Sequence, residues 1–400
     1  MVRKNILVLS YVHEGGEWFA TQSLIKQSKK LVNKLYFYLI GFTDGYKTDS
    51  RSFEKIVYVR SQPTKHPFKY FKKMLIGVWN IGKEISKLTM DIGKFDYILV
   101  THYFMVFPIF LVRKLKNSRL IFFFHGTKSL PLNHLTWIKI GPIVISLLER
   151  LSLILSPVII VPSLWAKKYV RSLINSFDKE KKIFIIPNEI SPEFSKMFPQ
   201  KSISYFRKTL KIDINKKIIL YCGRIAPYKG LDNLLEAFSK FTQINKDVVL
   251  VIAYPQKSID KALYRRLRGN IRDKGINSKV KFVANLKKPE LTKLYKASDV
   301  LILASGLEMA PLVVIESSLQ GTPFIATKVG NMENVLSKLD SNLILKNGSF
   351  SEILRKFEYF FALPQEKHRL LRKAAIGLAK QYLKTNPAKS FVQILDSPKT

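Results

Sequence analysis

The sequence predicts an α/β protein built from two domains, each a doubly wound parallel sheet. Apolar runs of strand length alternate with amphipathic stretches of helix length along most of the chain, which is the pattern of repeated β-α-β units. The chain has 400 residues, and one hydrophobic core rarely grows beyond about 250 to 300 residues. We therefore expect a first domain at about 1–195 and a second at about 205–375, with a linker rich in lysine and serine at about 191–215.

The composition is that of a globular protein with a strong positive charge. Hydrophobic residues make up 47% of the chain and aromatic residues 12%, which excludes an intrinsically disordered chain. Cys222 is the only cysteine, so we expect a reducing compartment, and no secretory signal is predicted at the start of the chain. The formal net charge is +38, with +18 in residues 1–200 and +20 in residues 201–400. Such a field attracts nucleic acid, anionic membranes or phosphorylated substrates.

The first domain is predicted from apolar strands separated by helices. The first strand, NILVLS at 5–10, is followed by a loop and by a helix from about Trp18 to Leu31. Gly15 and Gly16 lie in that loop, where glycine lets backbone amides approach a ligand closely. A tight turn without a ligand is the alternative. The other strands are expected at 35–41, 56–59, 95–101, 119–124 and 158–161.

Two histidines come directly after predicted strands of this domain. His125 follows the run RLIFFF, and His102 follows the strand that ends at Thr101. Ligands of open α/β sheets bind at the carboxyl ends of the strands. We therefore interpret His125 as a candidate site residue and His102 as a weaker one. A structural role in the core is the alternative for both.

Two stretches bear on membrane binding. Residues 67–87, PFKYFKKMLIGVWNIGKEISK, can form a basic amphipathic helix that lies on an anionic bilayer, or an ordinary helix with one face in the core. Residues 138–161 are very apolar, but Pro142, Glu149, Arg150 and Pro157 interrupt them. Charges near the centre of a bilayer are costly, so we predict a buried helix at about 143–155 and no transmembrane span.

The second domain begins with a strand and a loop that carries two cations. Strand 217–222 leads into a loop that holds Gly223, Arg224, Lys229 and Gly230, and a helix begins near residue 231. An arginine fork and a lysine ammonium on one loop can bind a diphosphate and stabilise the charge that develops on it. The loop is therefore a candidate diphosphate site. Further strands are expected at 248–252 and 279–283, with helices at 259–274 and 289–297.

Residues 301–327 are predicted to form one strand-loop-helix-strand unit. Pro311 suits the first position of the helix, and Gly321 suits the residue after its end. Glu308 then lies on the loop, and Glu316 lies about one turn inside the helix. The amides near Pro311 to Val313 are unpaired donors of a helix start, which binds phosphate readily. The two carboxylates therefore flank a predicted phosphate site.

Together these motifs resemble the family-4 glycosyltransferases. The resemblance rests on Gly223-Arg224 with Lys229-Gly230 and on the E-x(7)-E spacing of Glu308 and Glu316; it is strongest from 217 to 335. In that family the first Glu of the motif, here Glu308, holds the donor hexose, and the second, here Glu316, holds the nucleotide ribose. The family commonly has Glu-Gly-Phe-Gly where this chain has EMAP at 308–311, so the resemblance does not identify the donor.

The resemblance implies the α/β GT-B fold, which is two Rossmann-like doubly wound parallel-sheet domains facing a cleft. It implies an acceptor-binding first domain, a nucleotide-sugar-binding second domain, and a C-terminal helix at about 376–400 that packs back on the first. It also implies hexose transfer with retention of configuration and without a metal or other cofactor, and no D-x-D triplet occurs in the sequence. The implied catalytic residues are Arg224, Lys229, Glu308 and His125. The implied donor contacts are Gly223, Arg224, Lys229, Glu308, Met309, Ala310, Pro311, Leu312, Val313 and Glu316, and the implied acceptor contacts are Gly15 and Gly16.

The acceptor is hypothesised to be a lipid-linked or membrane-associated glycan, because the chain is strongly basic and 67–87 can bind a bilayer. The protein would then be cytoplasmic and peripheral on the cytoplasmic face of the membrane. A nucleotide-sugar epimerase or a soluble glucan synthase of the same fold is an alternative enzyme. A non-catalytic basic protein that binds nucleic acid or a nucleotide is the alternative of another class, although the sequence contains no nucleic-acid recognition motif.

Overall fold

The computed structural model describes residues 3–12, 16–43, 48–60, 67–112, 115, 117–126, 140–174, 181–256, 259–332, 335 and 339–397. The chain divides into two compact units. The first consists of Met1–Glu189 together with Asn386–Thr400, and the second is Ile190–Thr385.

The first unit contains a parallel sheet of seven described strands in the order β3-β2-β1-β4-β5-β6-β7. The central strands are buried along their whole length, as expected of a parallel sheet that helices cover on both faces. The strands are β1 Lys4–Val12, β2 Leu35–Thr43, β3 Lys55–Arg60, β4 Tyr97–Val100, β5 Arg119–Phe123, β6 Val158–Val161 and β7 Lys182–Ile185. The helices are α1 Gly16–Leu31, α2 Pro67–Ile92, α3 Phe107–Phe110, α4 Ile140–Leu155 and α5 Leu164–Ile174.

The second unit contains a parallel sheet of six described strands in the order β10-β9-β8-β11-β12-β13. The strands are β8 Lys217–Cys222, β9 Val248–Tyr254, β10 Val280–Ala284, β11 Val300–Leu303, β12 Phe324–Thr327 and β13 Ile344–Leu345. The helices are α6 Gln200–Thr209, α7 Leu231–Ile244, α8 Lys261–Asp273, α9 Lys288–Ala297, α10 Leu312–Leu319, α11 Phe350–Ala362 and α12 Gln365–Leu383.

The last described helix, α13 Pro387–Asp396, belongs to the first unit. It packs on α1, and Phe391 is fully buried in the core of the first unit. Lys4 Nζ donates to the carbonyl O of Leu395 at 2.6 Å and pairs with Asp396 at 2.6 Å. Helix α13 is therefore held by both apolar burial and polar contacts.

Three predicted features differ from the structure. The predicted linker at 191–215 contains α6 and is part of the second unit's core, where Phe194, Phe206 and Ile212 are buried. Strands β7 and β13 were not predicted, because β7 has only four residues with mixed burial and β13 has only two residues. The helix predicted at 143–155 is present as α4, but it is not fully buried. Ile143, Leu147 and Leu151 are 58%, 59% and 43% exposed.

Helix α2 contains the stretch predicted to be basic and amphipathic. Ile81, Ile85 and Leu88 pack into the core, whereas Leu75, Ile76 and Trp79 are exposed. The side chains of residues 67–74 lie outside the described residues. Among the described helices, none is both long enough and apolar enough to cross a membrane.

Candidate functional site

The candidate site of the second unit lies where two neighbouring strands end. Strands β8 and β11 are adjacent and parallel, so the loops that follow them leave the same edge of the sheet. The loop after β8 carries Gly223 to Gly230, and the loop after β11 carries Glu308. This strand order brings the two predicted motifs together, although Lys229 and Glu308 are 79 residues apart in the chain.

Close backbone contacts join the two loops. The amide of Gly306 donates to the carbonyl O of Tyr228 at 2.8 Å. Gly230 has φ +70°, and a Cβ built there would lie 2.3 Å from the carbonyl O of Ala304. A side chain at Gly230 would be strained by the positive φ and would overlap this backbone atom. Glycine is therefore required where the loop after β8 touches the loop after β11.

The side chains of Lys229 and Glu308 form an ion pair across the loops. Their side chains are only 12% and 16% exposed, and low solvent access strengthens the attraction between the charges. The Lys229 ammonium also lies 5.2 Å from the centroid of the Tyr228 ring. Arg224 Nη2 donates to Tyr228 Oη at 2.6 Å, and Arg224 is exposed. Two cations thus contact one tyrosine, and one of them, Lys229, also pairs with Glu308.

Helix α10 begins beside this ion pair. Pro311 has φ −72° and ψ 103° and is the residue before the helix, not the first helical residue as predicted. Since proline has no N–H, the unpaired donors of the helix start are the amides of Leu312 and Val313. Of the two residues between Glu308 and Pro311, Met309 is buried, so its side chain supports the loop from the core side.

Gly330 supports the same loop and was not predicted. It has φ +61°, and a Cβ there would lie 2.8 Å from Pro311 Cδ and 3.0 Å from the carbonyl O of Glu308. The backbone after β12 therefore packs directly against the Glu308 loop. No local pattern in the sequence indicates this contact, because residues 308 and 330 meet only through the packing of the fold.

Glu316 lies one turn inside α10, as predicted, and its carboxylate contacts a tyrosine of α9. Tyr295 Oη donates to Glu316 Oε2 at 2.8 Å. Burial raises the pKa of Glu316 to about 7, although the Tyr295 hydrogen bond and the charge of Lys288 act in the opposite direction. The carboxyl group is thus only partly ionised near neutral pH.

Cys222 lies at the end of β8 and also contacts Tyr295. Tyr295 Oη is 3.4 Å from Cys222 Sγ. Burial raises the pKa of the Cys222 thiol to about 12. The thiol therefore stays protonated near neutral pH and is a poor nucleophile.

In the first unit, His125 lies at the carboxyl end of β5, as predicted. It is buried, its Nε2 is 2.8 Å from Thr21 Oγ1, and its ring centroid is 3.9 Å from that of Phe123. A small cavity there is lined by Thr101, His102, Tyr103, Phe122, Phe124, His125, Gly126 and Glu149. Gly16 is the first residue of α1, and Gly15 lies outside the described residues.

The described residues contain no group of three or more His, Cys, Asp or Glu side chains that could hold a metal ion. The loop after β8 carries two cationic side chains, those of Arg224 and Lys229.

Comparisons with known proteins identify a family match and relatives that cover part of the chain. Residues 203–376 match the model of the glycosyl transferases group 1 family. An uncharacterized glycosyltransferase of Methanocaldococcus jannaschii is 31% identical over 190 residues, which is 47% of each chain. The lipopolysaccharide 1,2-N-acetylglucosaminetransferase of Salmonella typhimurium is 26% identical over 240 residues, 58% of this chain and 60% of that one. The chain spans about half the length of the curated relatives it matches.

Solved structures match the chain over nearly its whole length. Anabaena HepE in complex with UDP and glucose has a TM-score of 0.72 at 16% identity and covers 98% of this chain and 99% of that one. Sucrose-phosphate synthase from Thermosynechococcus elongatus has a TM-score of 0.78 at 17% identity and covers 98% of each chain. The predicted fold class is thus confirmed: two Rossmann-like parallel-sheet α/β domains, as in GT-B glycosyltransferases.

Proposed function

We propose that the protein is a retaining family-4 glycosyltransferase that moves a hexose from a nucleoside-diphosphate sugar to an acceptor hydroxyl. The contact between Lys229 and Glu308 carries this proposal. It combines a cation suited to a diphosphate with a carboxylate suited to sugar hydroxyls, at the edge of the sheet where such ligands bind. The group 1 family match over 203–376 supports the same activity.

Each donor-site group has a proposed role. Arg224, Lys229 and the helix-start amides of Leu312 and Val313 bind the diphosphate and stabilise its growing charge. Glu308 accepts hydrogen bonds from the hexose, and Glu316 accepts them from the ribose. Gly223 leaves room for the phosphates, and the backbone of 309–311 shapes the hexose pocket.

The proposed reaction exchanges one bond at the anomeric carbon. The bond between the sugar C1 and the diphosphate oxygen breaks, and the pair of electrons leaves with the diphosphate. The acceptor oxygen forms the new bond to C1 on the same face, and its proton passes to the departing phosphate oxygen. Positioning and electrostatics then supply the catalysis without a metal. The roles that the resemblance implies for His125 on the hexose and for Gly15 and Gly16 on the acceptor stay predictions.

Methanol as a surrogate acceptor tests the activity. The anomeric configuration of the methyl glycoside product shows whether the configuration of the donor sugar is retained. The donors would be UDP-glucose, UDP-N-acetylglucosamine and GDP-mannose, in buffer with EDTA. We expect the α-methyl glycoside from one of these α-linked donors, and loss of at least about 100-fold in rate for Lys229→Ala because the charge stabilisation is gone. NMR of the products measures both the anomeric configuration and the rate at which the glycoside forms.

Other products of this assay would contradict the proposal in distinct ways. A β-methyl glycoside would contradict retention. An isomerised nucleotide-sugar formed without acceptor would indicate an epimerase, and binding of the nucleotide without any turnover would indicate a non-catalytic nucleotide-binding protein. Activity that EDTA abolishes and Mg²⁺ restores would contradict the metal-free mechanism.

We further propose that the acceptor is a lipid-linked or membrane-associated glycan and that the protein binds anionic membranes peripherally, on their cytoplasmic face. The support is an apolar stripe of α4, defined as Ile143, Leu147 and Leu151, which faces solvent. The nearby acidic residue of α4, Glu149, is buried on the other side. A second copy of the chain would carry the same +38 charge and would be repelled. An anionic bilayer attracts the basic protein, and its apolar interior can bury the exposed leucines of α4.

Sedimentation with vesicles tests membrane binding. We expect the protein to sediment with phosphatidylglycerol vesicles more than with phosphatidylcholine vesicles, and to lose most of this binding in a Leu147→Ser, Leu151→Ser variant. Leu370→Ser is the matched control, because Leu370 is a similarly exposed leucine, 47% exposed, on a helix of the second unit. No preference for anionic vesicles, or equal loss in the control variant, would contradict the proposal.

A further inference from the structure

We propose that Tyr295 is a positioning residue for nucleotide binding, whose hydroxyl holds the Glu316 carboxylate in the orientation that accepts the ribose hydroxyls. This inference rests on the proposed function, because it requires that Glu316 contacts a ribose. It adds a residue from α9, 21 positions before Glu316 in the chain, that neither the motif nor the resemblance includes.

The geometry around Tyr295 fixes the position of its hydroxyl. Tyr295 is fully buried, and its ring lies edge-on to Phe194 at 6.0 Å between centroids. Thr322 Oγ1 donates to its carbonyl O at 2.5 Å. Thr322 thus fixes the backbone of Tyr295, and close packing restricts the buried ring, so the Oη that donates to Glu316 Oε2 at 2.8 Å is pre-organised.

The carboxylate of Glu316 has two oxygens, and the hydrogen bond from Tyr295 occupies one of them. Oε2 accepts from Tyr295, which leaves Oε1 and the second lone pair of Oε2 as acceptors for a ligand. Glu316 is half-buried, so a ligand can reach it. A diol such as a ribose supplies two O–H donors, which matches the remaining acceptor sites of one carboxylate held in a fixed plane.

The hydrogen bond also shifts the carboxylate toward its ionised form. The charged and titratable groups that act on Glu316 are Tyr295 and Lys288 of α9, and Cys222 lies close enough on β8 to be affected by it. The Tyr295 hydrogen bond and Lys288 both favour the ionised form, against burial. Removing the tyrosine hydroxyl therefore disfavours the carboxylate as well as releasing its orientation.

A purely structural role for Tyr295 is the competing explanation, since its ring belongs to the core of the second unit. The Tyr295→Phe variant separates the two, because it keeps the ring and removes only the hydroxyl. Tyr359→Phe is the matched control. Tyr359 Oη also donates to a carboxylate, Asp340 Oδ2, at 2.8 Å, and this pair lies outside the candidate site.

The test compares a nucleoside diphosphate with its 2′,3′-dideoxy form, after a first screen has identified the base. For the wild type we expect the ribo form to bind about 10-fold or more tightly than the dideoxy form, because a hydrogen bond to a charged group is lost. For Tyr295→Phe this ratio should fall by about 5-fold or more, and the Tyr359→Phe ratio should equal that of the wild type. The pH at which ribonucleotide binding weakens should also move upward in Tyr295→Phe only.

The outcomes distinguish this inference from the proposed function. A wild type that binds both nucleotides equally would contradict the ribose role of Glu316, and with it the proposed donor site. A wild type that discriminates, with an unchanged ratio and unchanged pH dependence in Tyr295→Phe, would overturn the positioning role alone. A Tyr295→Phe variant that weakens both nucleotides equally would indicate a structural role and also overturn it.

Discussion

At the scale of single residues, the charged groups of the candidate donor site are paired with one another or have a shifted pKa. Lys229 and Glu308 neutralise each other, so a bound diphosphate would enter a site without excess negative charge. Burial keeps Glu316 partly protonated near neutral pH, although the hydrogen bond from Tyr295 favours its ionised form. Such perturbed groups are more frequent at functional sites than elsewhere.

The titration of Glu316 makes the stability of the ligand-free protein depend on pH. Its pKa is raised from 4.5 to about 7 on folding, so the folded protein binds more protons than the unfolded chain between these values. The stabilisation is complete below pH 4.5 and is lost as the pH rises to 7. The Glu316→Gln variant has no group that must ionise as the pH rises. We therefore expect its free energy of unfolding to exceed that of the wild type by about 1 to 3 kcal/mol at pH 8, and we expect this gain to be absent at pH 4.5.

Urea unfolding of both proteins at several pH values measures the difference. Glu366→Gln serves as a control, because Glu366 is 60% exposed in an ion pair with Arg369 and exposed pairs contribute little. A Glu316→Gln difference that does not grow between pH 5 and pH 8 would contradict the assigned burial of this carboxyl group.

The close contact between Gly230 and Ala304 predicts a loss of stability when a side chain is added at Gly230. Gly230→Ala places a Cβ against a backbone oxygen at a positive φ, so we expect a loss of about 3 kcal/mol or more in the free energy of unfolding and loss of nucleotide binding. Gly275→Ala is the matched control, because Gly275 has φ +66° but no atom within 4 Å of a built Cβ. The control should lose only about 1 kcal/mol. Equal losses in the two variants would show that the loop contact is unimportant.

At the scale of elements, long periodic segments were predicted well and short or mixed ones were not. The strands with continuous apolar runs, such as β5 and β8, lie within a residue or two of their predicted bounds. The lysines and serines of α6 predict a linker, because they hide the spacing of Ile203 and Phe206, which are both buried. The apolar content of α4 predicted burial, but only one face of this helix packs on the protein.

The burial of α13 in the first unit predicts a loss of stability when its core side chain is truncated. Phe391 lies fully buried among residues of the first unit, so Phe391→Ala should cost about 3 to 5 kcal/mol in the stability of that unit. Phe350→Ala, which truncates an exposed phenylalanine of α11, should cost less than about 1 kcal/mol. Chemical unfolding followed by tryptophan fluorescence is suitable, because Trp18, Trp79 and Trp165 all lie in the first unit. A stable Phe391→Ala variant would contradict the packing of α13.

At the scale of the whole molecule, the fold class and the donor-site motifs could be predicted from the sequence, whereas the contacts that join the motifs could not. The strand alternation determines two parallel sheets, and neighbouring strands bring Arg224, Lys229 and Glu308 to one edge. The supporting contacts of Gly330 and Tyr295 arise between segments that are distant in the chain and carry no periodic signal. The charge of +38 is spread over both halves, so it indicates an anionic partner without locating the surface that binds it.

The measurement that tests the central claim most directly is thermal unfolding of the purified protein with UDP, GDP, ADP or TDP, beside an Arg224→Ala, Lys229→Ala variant. A ligand at 100 times its dissociation constant stabilises the native state by about 2.7 kcal/mol. We expect one nucleotide to raise the melting temperature of the wild type and to have no effect on the variant, because the diphosphate loses both cations. No shift with any nucleotide, or the same shift in the variant, would contradict a donor site at this loop.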